Sequence, residues 1–349
     1  MPPDLSVIEG NYLRDILDQP LALEDTLQAL TQHTGLEDIA AQLQKGKFQR
    51  IILTGMGSSY HVLHPLNLEL VEHGLTGFMV ETSELVHYQS RFFDPNTLVI
   101  AVSQSGRSAE VVRLLEMNRN RATLIAVTNT PGSPLAARSD AVVLTQAGQE
   151  FSVSCKTYVT ALMALKWVGD ALCGKDPRNT LKELKQAAPA VCSYLSDWKK
   201  HVQSILEELR NIAHLFLVGR GPSLAAVGTG ALTIKESDHF HAEGMSSAAF
   251  RHGPFEMLCR ESFVLVFSGD QKTRDLNKRL VAEIREKAGR SELVGEEASL
   301  PAFLLTEEAS SIQPILEILP VQMVTLALAA QAGREPGRFG LASKITTTE

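Results

Sequence analysis

Two stretches of this chain repeat each other in register. Ile51 to Ser59 reads IILTGMGSS and Leu215 to Ser223 reads LFLVGRGPS: an apolar run, then Gly-x-Gly, then serine. Further on, Leu98 to Ser103 (LVIAVS) is echoed by Phe263 to Ser268 (FVLVFS). The offsets are 164 and 165 residues. One short match carries little weight, but two at nearly the same offset indicate a duplicated unit and a chain of two similar halves. The length of 349 residues suits two domains.

Each half reads as α/β. Strands are predicted at Phe48 to Thr54, Phe78 to Glu81, Thr97 to Val102, Thr123 to Thr128 and Ala141 to Leu144, with helical patterns between them, notably Ser108 to Asn118. Strands alternating with helices imply a parallel sheet covered on both faces. The first 45 or so residues read as helices, with Pro20 at a junction. A charged helical stretch joins the halves, and a long apolar helix, Ile315 to Ala332, precedes a polar tail. The expected organisation is a helical segment 1–45, a first domain 46–173, a linker 174–208, a second domain 209–335 and a tail 336–349.

Composition narrows the partners. With 44% hydrophobic and 21% charged residues the chain is globular rather than disordered. A net charge of -7 argues against nucleic acid, which needs a basic face. A local pocket can still take a small anion against the global charge. Cys155, Cys173, Cys192 and Cys259 show no paired spacing and are expected to be free thiols in a reducing compartment. The N-terminus has no basic leader pattern, and no segment is expected to reach the roughly 18 apolar residues of a membrane span. A cytoplasmic protein without a membrane partner is the expectation.

The most informative local run is Ser103-Gln104-Ser105-Gly106-Arg107-Ser108, between a predicted strand and a predicted helix. Ligands of parallel sheets bind at the carboxyl ends of strands. A helix N-terminus there offers unpaired N–H groups and a partial positive charge. Three serines add donors, and Gly106 permits close backbone approach. The run reads equally as a phosphate cradle or as an ordinary turn capped by serine. The turn at Gly55 to Ser59 is a second candidate wall. It lacks the third glycine of a dinucleotide turn, which makes a dehydrogenase the poorer reading.

The second half carries a titratable constellation: Lys235, Glu236, Asp238, His239, His241 and Glu243, then Arg251-His252-Gly253-Pro254. The preceding run AAVGTGALTI is small and apolar, so its helix should be packed. A carboxylate at the end of a packed helix is a candidate general base. His252, before Gly-Pro, should sit on a surface turn. A base and an imidazole are the tools for opening a sugar ring and moving a proton between C1 and C2, without metal or coenzyme. His239-x-His241 has no evident third ligand, so no metal site is predicted. His61 and His64 read as surface or packing residues.

Taken together, these residues resemble the sugar isomerase (SIS) family, specifically the isomerase half of glucosamine-6-phosphate synthase and its stand-alone relatives. The resemblance rests on GSSY at Gly57 to Tyr60, SQSGRSAE at Ser103 to Glu110, and NTPGSPLA at Asn129 to Ala136. It continues through AGQEFSVSCKTY at Ala147 to Tyr158, VGRGPS at Val218 to Ser223, KESDHFHAEG, RHGP and the closing LASKITTTE. It implies two tandem flavodoxin-like domains with a site between them, and a homodimer with a shared active site. It assigns the sugar phosphate to Ser58, Ser59, Ser103, Gln104, Ser105 and Ser108. The sugar falls to Gly57, Glu150, Val153, Cys155 and Ser343. Glu236 would shuttle the proton, His252 from the neighbouring subunit would assist ring opening, and Lys344 would reach the open-chain carbonyl.

The departures are specific. The synthase begins with a glutaminase domain and its catalytic cysteine, whereas this chain begins Met1-Pro2-Pro3, so amide transfer in cis is not expected. Thr233 stands where the synthase has a second lysine. Cys155-Lys156-Thr157 replaces a Ser-Thr-Lys. The resemblance therefore implies a phosphosugar isomerase-type enzyme, foremost a fructosamine-6-phosphate deglycase. Glucosamine-6-phosphate deaminase, a plain aldose–ketose isomerase and a synthase-like aminotransferase are the alternatives. A non-catalytic sugar-phosphate sensor is the reading of another class; the acidic first 45 residues carry no helix-turn-helix pattern to support it.

Overall fold

The computed structural model describes residues 4–32, 35–119, 121–287, 289–306, 309–341 and 343–346. In chain order the elements begin with helices α1 (Asn11–Leu17), α2 (Gln19–Leu30) and α3 (Leu36–Gln44). Then come β1 (Arg50–Gly55), α4 (Ser58–His61), α5 (Leu63–Glu72), β2 (Gly77–Glu81), α6 (Thr82–Tyr88), β3 (Thr97–Val102) and α7 (Ala109–Asn118). β4 (Thr123–Thr128), α8 (Pro134–Ala137), β5 (Ala141–Leu144) and α9 (Lys156–Leu172) complete the first sheet and its cover. α10 (Pro177–Leu184), α11 (Ala187–Leu195) and α12 (Trp198–Ile205) follow. The second sheet brings β6 (His214–Gly219), α13 (Leu224–Asp238), β7 (Ala242–Ser246), α14 (Ser247–Arg251), β8 (Ser262–Phe267), α15 (Arg274–Glu286) and β9 (Arg290–Val294). α16 (Gln313–Leu316) and α17 (Ile318–Ala332) close the series.

By their described residues these elements form two compact units. One takes Gln19–Glu150, Ser154–Ala188 and Gly340–Glu349; the other takes Met1–Asp18, Phe151–Val153 and Pro189–Phe339. The N-terminal segment and the helical connection are each divided between the two.

In the first-sheet unit all five strands are parallel, in the order β2-β1-β3-β4-β5. This is the flavodoxin-like order. β3 is buried along its whole length, as expected of a central strand covered on both faces. One face packs Ile52, Val99, Ala101, Leu124 and Ala126 against Leu85, Val111, Leu114 and Leu115 from α6 and α7. α9 is buried on nearly every side, which is why its sequence is apolar almost all round.

The second-sheet unit repeats the plan with four parallel strands in the order β7-β6-β8-β9. Phe216, Val218, Val264 and Val266 pack on Phe250, Leu280 and Ile284. Here one expectation is corrected. Gln313–Ala332 is 20 residues long with a mean hydropathy of 1.6, long and apolar enough to cross a membrane by length and composition. Polar residues such as Glu317 and Gln322 conceal this from a reading that looks for an unbroken run. The segment is 89% buried in the folded chain, and α17 packs on α12 and α13 as a core helix.

Candidate functional site

In an open parallel sheet of this order the crevice lies beyond the carboxyl ends of β1 and β3, where the connections part to opposite faces. Both glycine-and-serine segments end there. After β1, Gly57 at φ 54° leads into α4, bringing Ser58 and Ser59 to its first turn. After β3, the Ser103 hydroxyl accepts from the Gly106 N–H at 3.1 Å, and the Ser105 hydroxyl accepts from the Arg107 N–H at 3.4 Å. Each hydroxyl accepts from the loop and keeps its own proton to donate. Gly106 has φ +60°, and a Cβ there would lie 2.3 Å from Ser133 Oγ, so glycine is required for the loop to close. Ser108 stands at the N-cap of α7, and its side chain makes no capping hydrogen bond. The Ala109 N–H donates to the Thr346 carbonyl of the C-terminal tail at 3.1 Å.

Ser58, Ser59, Gln104, Asn129, Ser154 and Thr157 line a cleft of about 320 Å³ of empty space, its open mouth included. Ser103 and Ser105 lie buried in the adjoining loop, each under a tenth exposed. Asn129 and Thr157 were not assigned from sequence. Asn129 follows β4, so the rule that marked β1 and β3 also marks it. Its Oδ1 accepts from the Ala147 N–H at 2.7 Å and the Thr145 hydroxyl at 3.1 Å, and its Nδ2 donates to the Gly148 carbonyl at 2.8 Å. It therefore fixes the loop after β5 beside the cleft.

Glu150 ends that loop with a side chain only 1% exposed. Its Oε1 accepts from the Cys155 and Thr157 N–H groups at 2.9 and 3.0 Å. Its Oε2 accepts from the Thr157 hydroxyl at 2.8 Å and from Lys344 Nζ at 2.9 Å. Among the sugar-site expectations, the unit therefore joins Glu150 to the buried Cys155 backbone. Ser343 donates to the Ile345 carbonyl at 2.8 Å, shaping the tail on either side of Lys344. Val153 is buried at 1% exposure and belongs to the other unit. His64 is mostly buried, and burial pushes its imidazole below the ordinary histidine value, which fits a packing residue.

The acid–base candidates lie in the second-sheet unit. Glu236 is half-buried in the last turn of α13, a helix otherwise largely buried, as its small apolar sequence requires. Thr233, one turn earlier, is 3% exposed. His252 is exposed at the end of α14, where Gly253 takes φ +148° and Pro254 follows, giving the surface turn. The repeat of the first cradle is altered chemically. Ser223 takes the place of Ser59, yet its hydroxyl donates to the buried Glu317 at 2.8 Å. Burial, opposed by the Ser223 hydrogen bond and reinforced by Asp270, raises the Glu317 carboxyl to about 7.

The SIS domain sequence profile matches residues 43–168 and 208–332, one match per sheet. Glutamine–fructose-6-phosphate aminotransferase (isomerizing) of Sulfurisphaera tokodaii is 28% identical over 341 residues, covering 97% of this chain. The chain spans only 56% of that relative's length. Among solved structures, the C-terminal domain of glucosamine-fructose-6-phosphate aminotransferase from Francisella tularensis superposes with a TM-score of 0.82 at 21% identity, covering 94% of this chain and 98% of that one. Glucosamine-6-phosphate deaminase from Thermotoga maritima gives 0.77 at 18% identity, covering 97% and 100%. These two likenesses establish the fold.

Proposed function

The chain belongs to the SIS domain family, and on that premise we propose that it is an enzyme that opens a phosphorylated amino sugar or ketosamine and moves a proton between C1 and C2. The observation that carries this reading is the cleft at the ends of β1 and β3, where Ser58, Ser59 and Gln104 meet beside the start of α7. A phosphate there takes hydroxyl and backbone donors together with the positive end of a helix. A neutral cradle of this kind explains how an acidic chain takes an anionic substrate.

The specific substrate we propose is a fructosamine 6-phosphate. His252 assists ring opening. Glu236 removes a proton from C1 of the open-chain ketosamine, giving the 1,2-enaminol, and returns it to C2, giving an imine at C1. Water adds to C1 and the C1–N bond breaks, with the electron pair leaving on the amine. The products are an aldose 6-phosphate and the free amine. Thr233 favours this over amino transfer, because a buried threonine replaces the second lysine that the resemblance expects. A homodimer sharing its active sites belongs to the same proposal.

A coupled turnover assay tests the reading. The panel is fructose-amino-acid 6-phosphates, glucosamine 6-phosphate, and fructose 6-phosphate with ammonia. Amino acid release from the first is the expected result. Ammonia release from glucosamine 6-phosphate alone would make the protein a deaminase. Melting-temperature shifts with no turnover on any substrate would leave a sensor.

A further inference from the structure

The last turn of α13 carries Glu236 and is held in place at a cost. The His239 N–H donates to the Lys235 carbonyl at 3.2 Å and closes a ring of backbone that contains both Glu236 and Asp238. His239 takes φ 51°, the left-handed region that suits glycine and penalises a residue with a Cβ. Asp238 is 7% exposed, and among the described residues neither of its carboxyl oxygens finds a hydrogen-bond partner. Burial pushes that carboxyl well above the usual carboxylate range, opposed by the Arg334 guanidinium. Ser237 is buried beside it, its hydroxyl likewise without a partner among the described residues. Buried polar groups left unpaired forfeit their hydration with nothing gained in exchange.

The tie that holds this turn comes from the far side of the unit's core. Arg334 lies just past the end of α17. Gly333 turns the chain at φ 61°, and the Arg334 N–H donates to the Ala329 carbonyl at 3.0 Å, so its main chain is pinned to α17. From that base Nη1 donates to the Asp238 carbonyl. Nη2 lies 3.3 Å from His239 Nδ1, which accepts when the ring carries its proton on Nε2. The last carbonyls of a helix have no intrahelical partners and gather partial negative charge, so a guanidinium there satisfies both needs. Glu236, Asp238, His239 and Arg334 all belong to the second-sheet unit.

We infer that Arg334 is a positioning residue for Glu236: by gripping Asp238 and His239 together it keeps the last turn of α13 closed and fixes the carboxylate that moves the proton. The inference rests on the functional reading above for the role of Glu236. Strained and unsatisfied groups persist only where their surroundings over-determine them. The rigid fork of a guanidinium supplies that constraint at two residues at once, which the point charge of a lysine does not. Without it the turn would open, Asp238 would reach water, and Glu236 would move with the backbone they share. The phosphate cradle is built in the other unit, so the effect should fall on the chemical step rather than on binding.

Hydrogen–deuterium exchange on Arg334→Ala, read by mass spectrometry, is the first test. Amides 236–239 should exchange at least about tenfold faster than in wild type, with amides 226–231 unchanged. Unchanged exchange at 236–239 overturns the inference, and so does equal acceleration along the whole helix. On a turned-over substrate kcat should fall about 30-fold with KM nearly unchanged. Guanidinium at sub-denaturing concentration should restore part of that loss. Arg210→Ala, which removes an exposed arginine paired with Glu207, should keep wild-type values throughout. Wild-type kcat beside faster exchange overturns the positioning role. A loss that guanidinium does not relieve, with a lowered melting temperature, marks a merely structural residue and overturns it too. Should the alanine variant not fold, Arg334→Lys is read by the same measures: intermediate exchange and kcat are expected, and wild-type values for both overturn the inference. If no phosphosugar is turned over, the functional reading fails and the role toward Glu236 fails with it, whereas exchange at 236–239 still decides whether Arg334 holds the turn.

Discussion

Ser223 Oγ donates to Glu317 Oε1 at 2.8 Å, joining the residue before α13 to the residue before α17. In the first half the corresponding serine, Ser59, faces an open cleft. The serine recurs in the second unit, but there its hydroxyl is taken by an internal carboxyl.

That carboxyl should make stability depend on pH. The folded-state value of Glu317 is about 7, above its ordinary value of 4.5. The folded protein therefore holds a proton that the unfolded chain gives up, so stability falls as pH rises from about 4.5 to 7 and levels off above. The full effect is on the order of 3 kcal/mol. Glu317→Gln should remove this slope and melt several degrees above wild type at pH 8. Differential scanning calorimetry from pH 5 to pH 8 checks it; parallel profiles for the two proteins would contradict it.

Glu236→Gln should abolish turnover while leaving sugar-phosphate affinity within about threefold, because only the proton shuttle is lost. Calorimetric titration beside the turnover assay separates the two. Comparable turnover in the variant would remove Glu236 from the reaction.

Ser59→Ala and Ser108→Ala should each weaken phosphate affinity about tenfold, the cost of one hydrogen bond to a charged group. Neither should lower the melting temperature appreciably, since neither side chain caps its helix. Gly106→Ala should do both kinds of harm, because its Cβ would meet Ser133 and its φ is +60°. Unchanged phosphate binding in the two serine variants would move the cradle elsewhere.

Mixing inactive Glu236→Gln and His252→Ala proteins should restore partial activity, as a homodimer with shared sites requires. Verified heterodimers that stay inactive would place both residues within one protomer's chemistry.

Much of the first sheet was legible in the sequence. Thr97–Val102, Thr123–Thr128 and Ala141–Leu144 form strands over the predicted residues, because runs of β-branched and apolar side chains bounded by polar residues leave few other choices. β7 and β9 were not found. Their sequences, AEGMS and RSELV, are short and polar, and their burial alternates or is partial, so each is a strand only because β6 or β8 offers a neighbouring edge.

What the sequence determined by itself was local and periodic: the duplicated strand-turn plan, the apolar helices, and the serine-rich turn whose glycine permits close approach. These follow from propensity, period and backbone freedom, which act over a few residues. Tertiary structure decided the partners. That Glu150 would meet Lys344, 194 positions along the chain, that Asn129 would tie down residues 145–148, and that Glu317 would lie against Ser223 are matters of which side chains a fold brings together. Burial removes water as the alternative partner, and only then does each contact acquire its energetic weight.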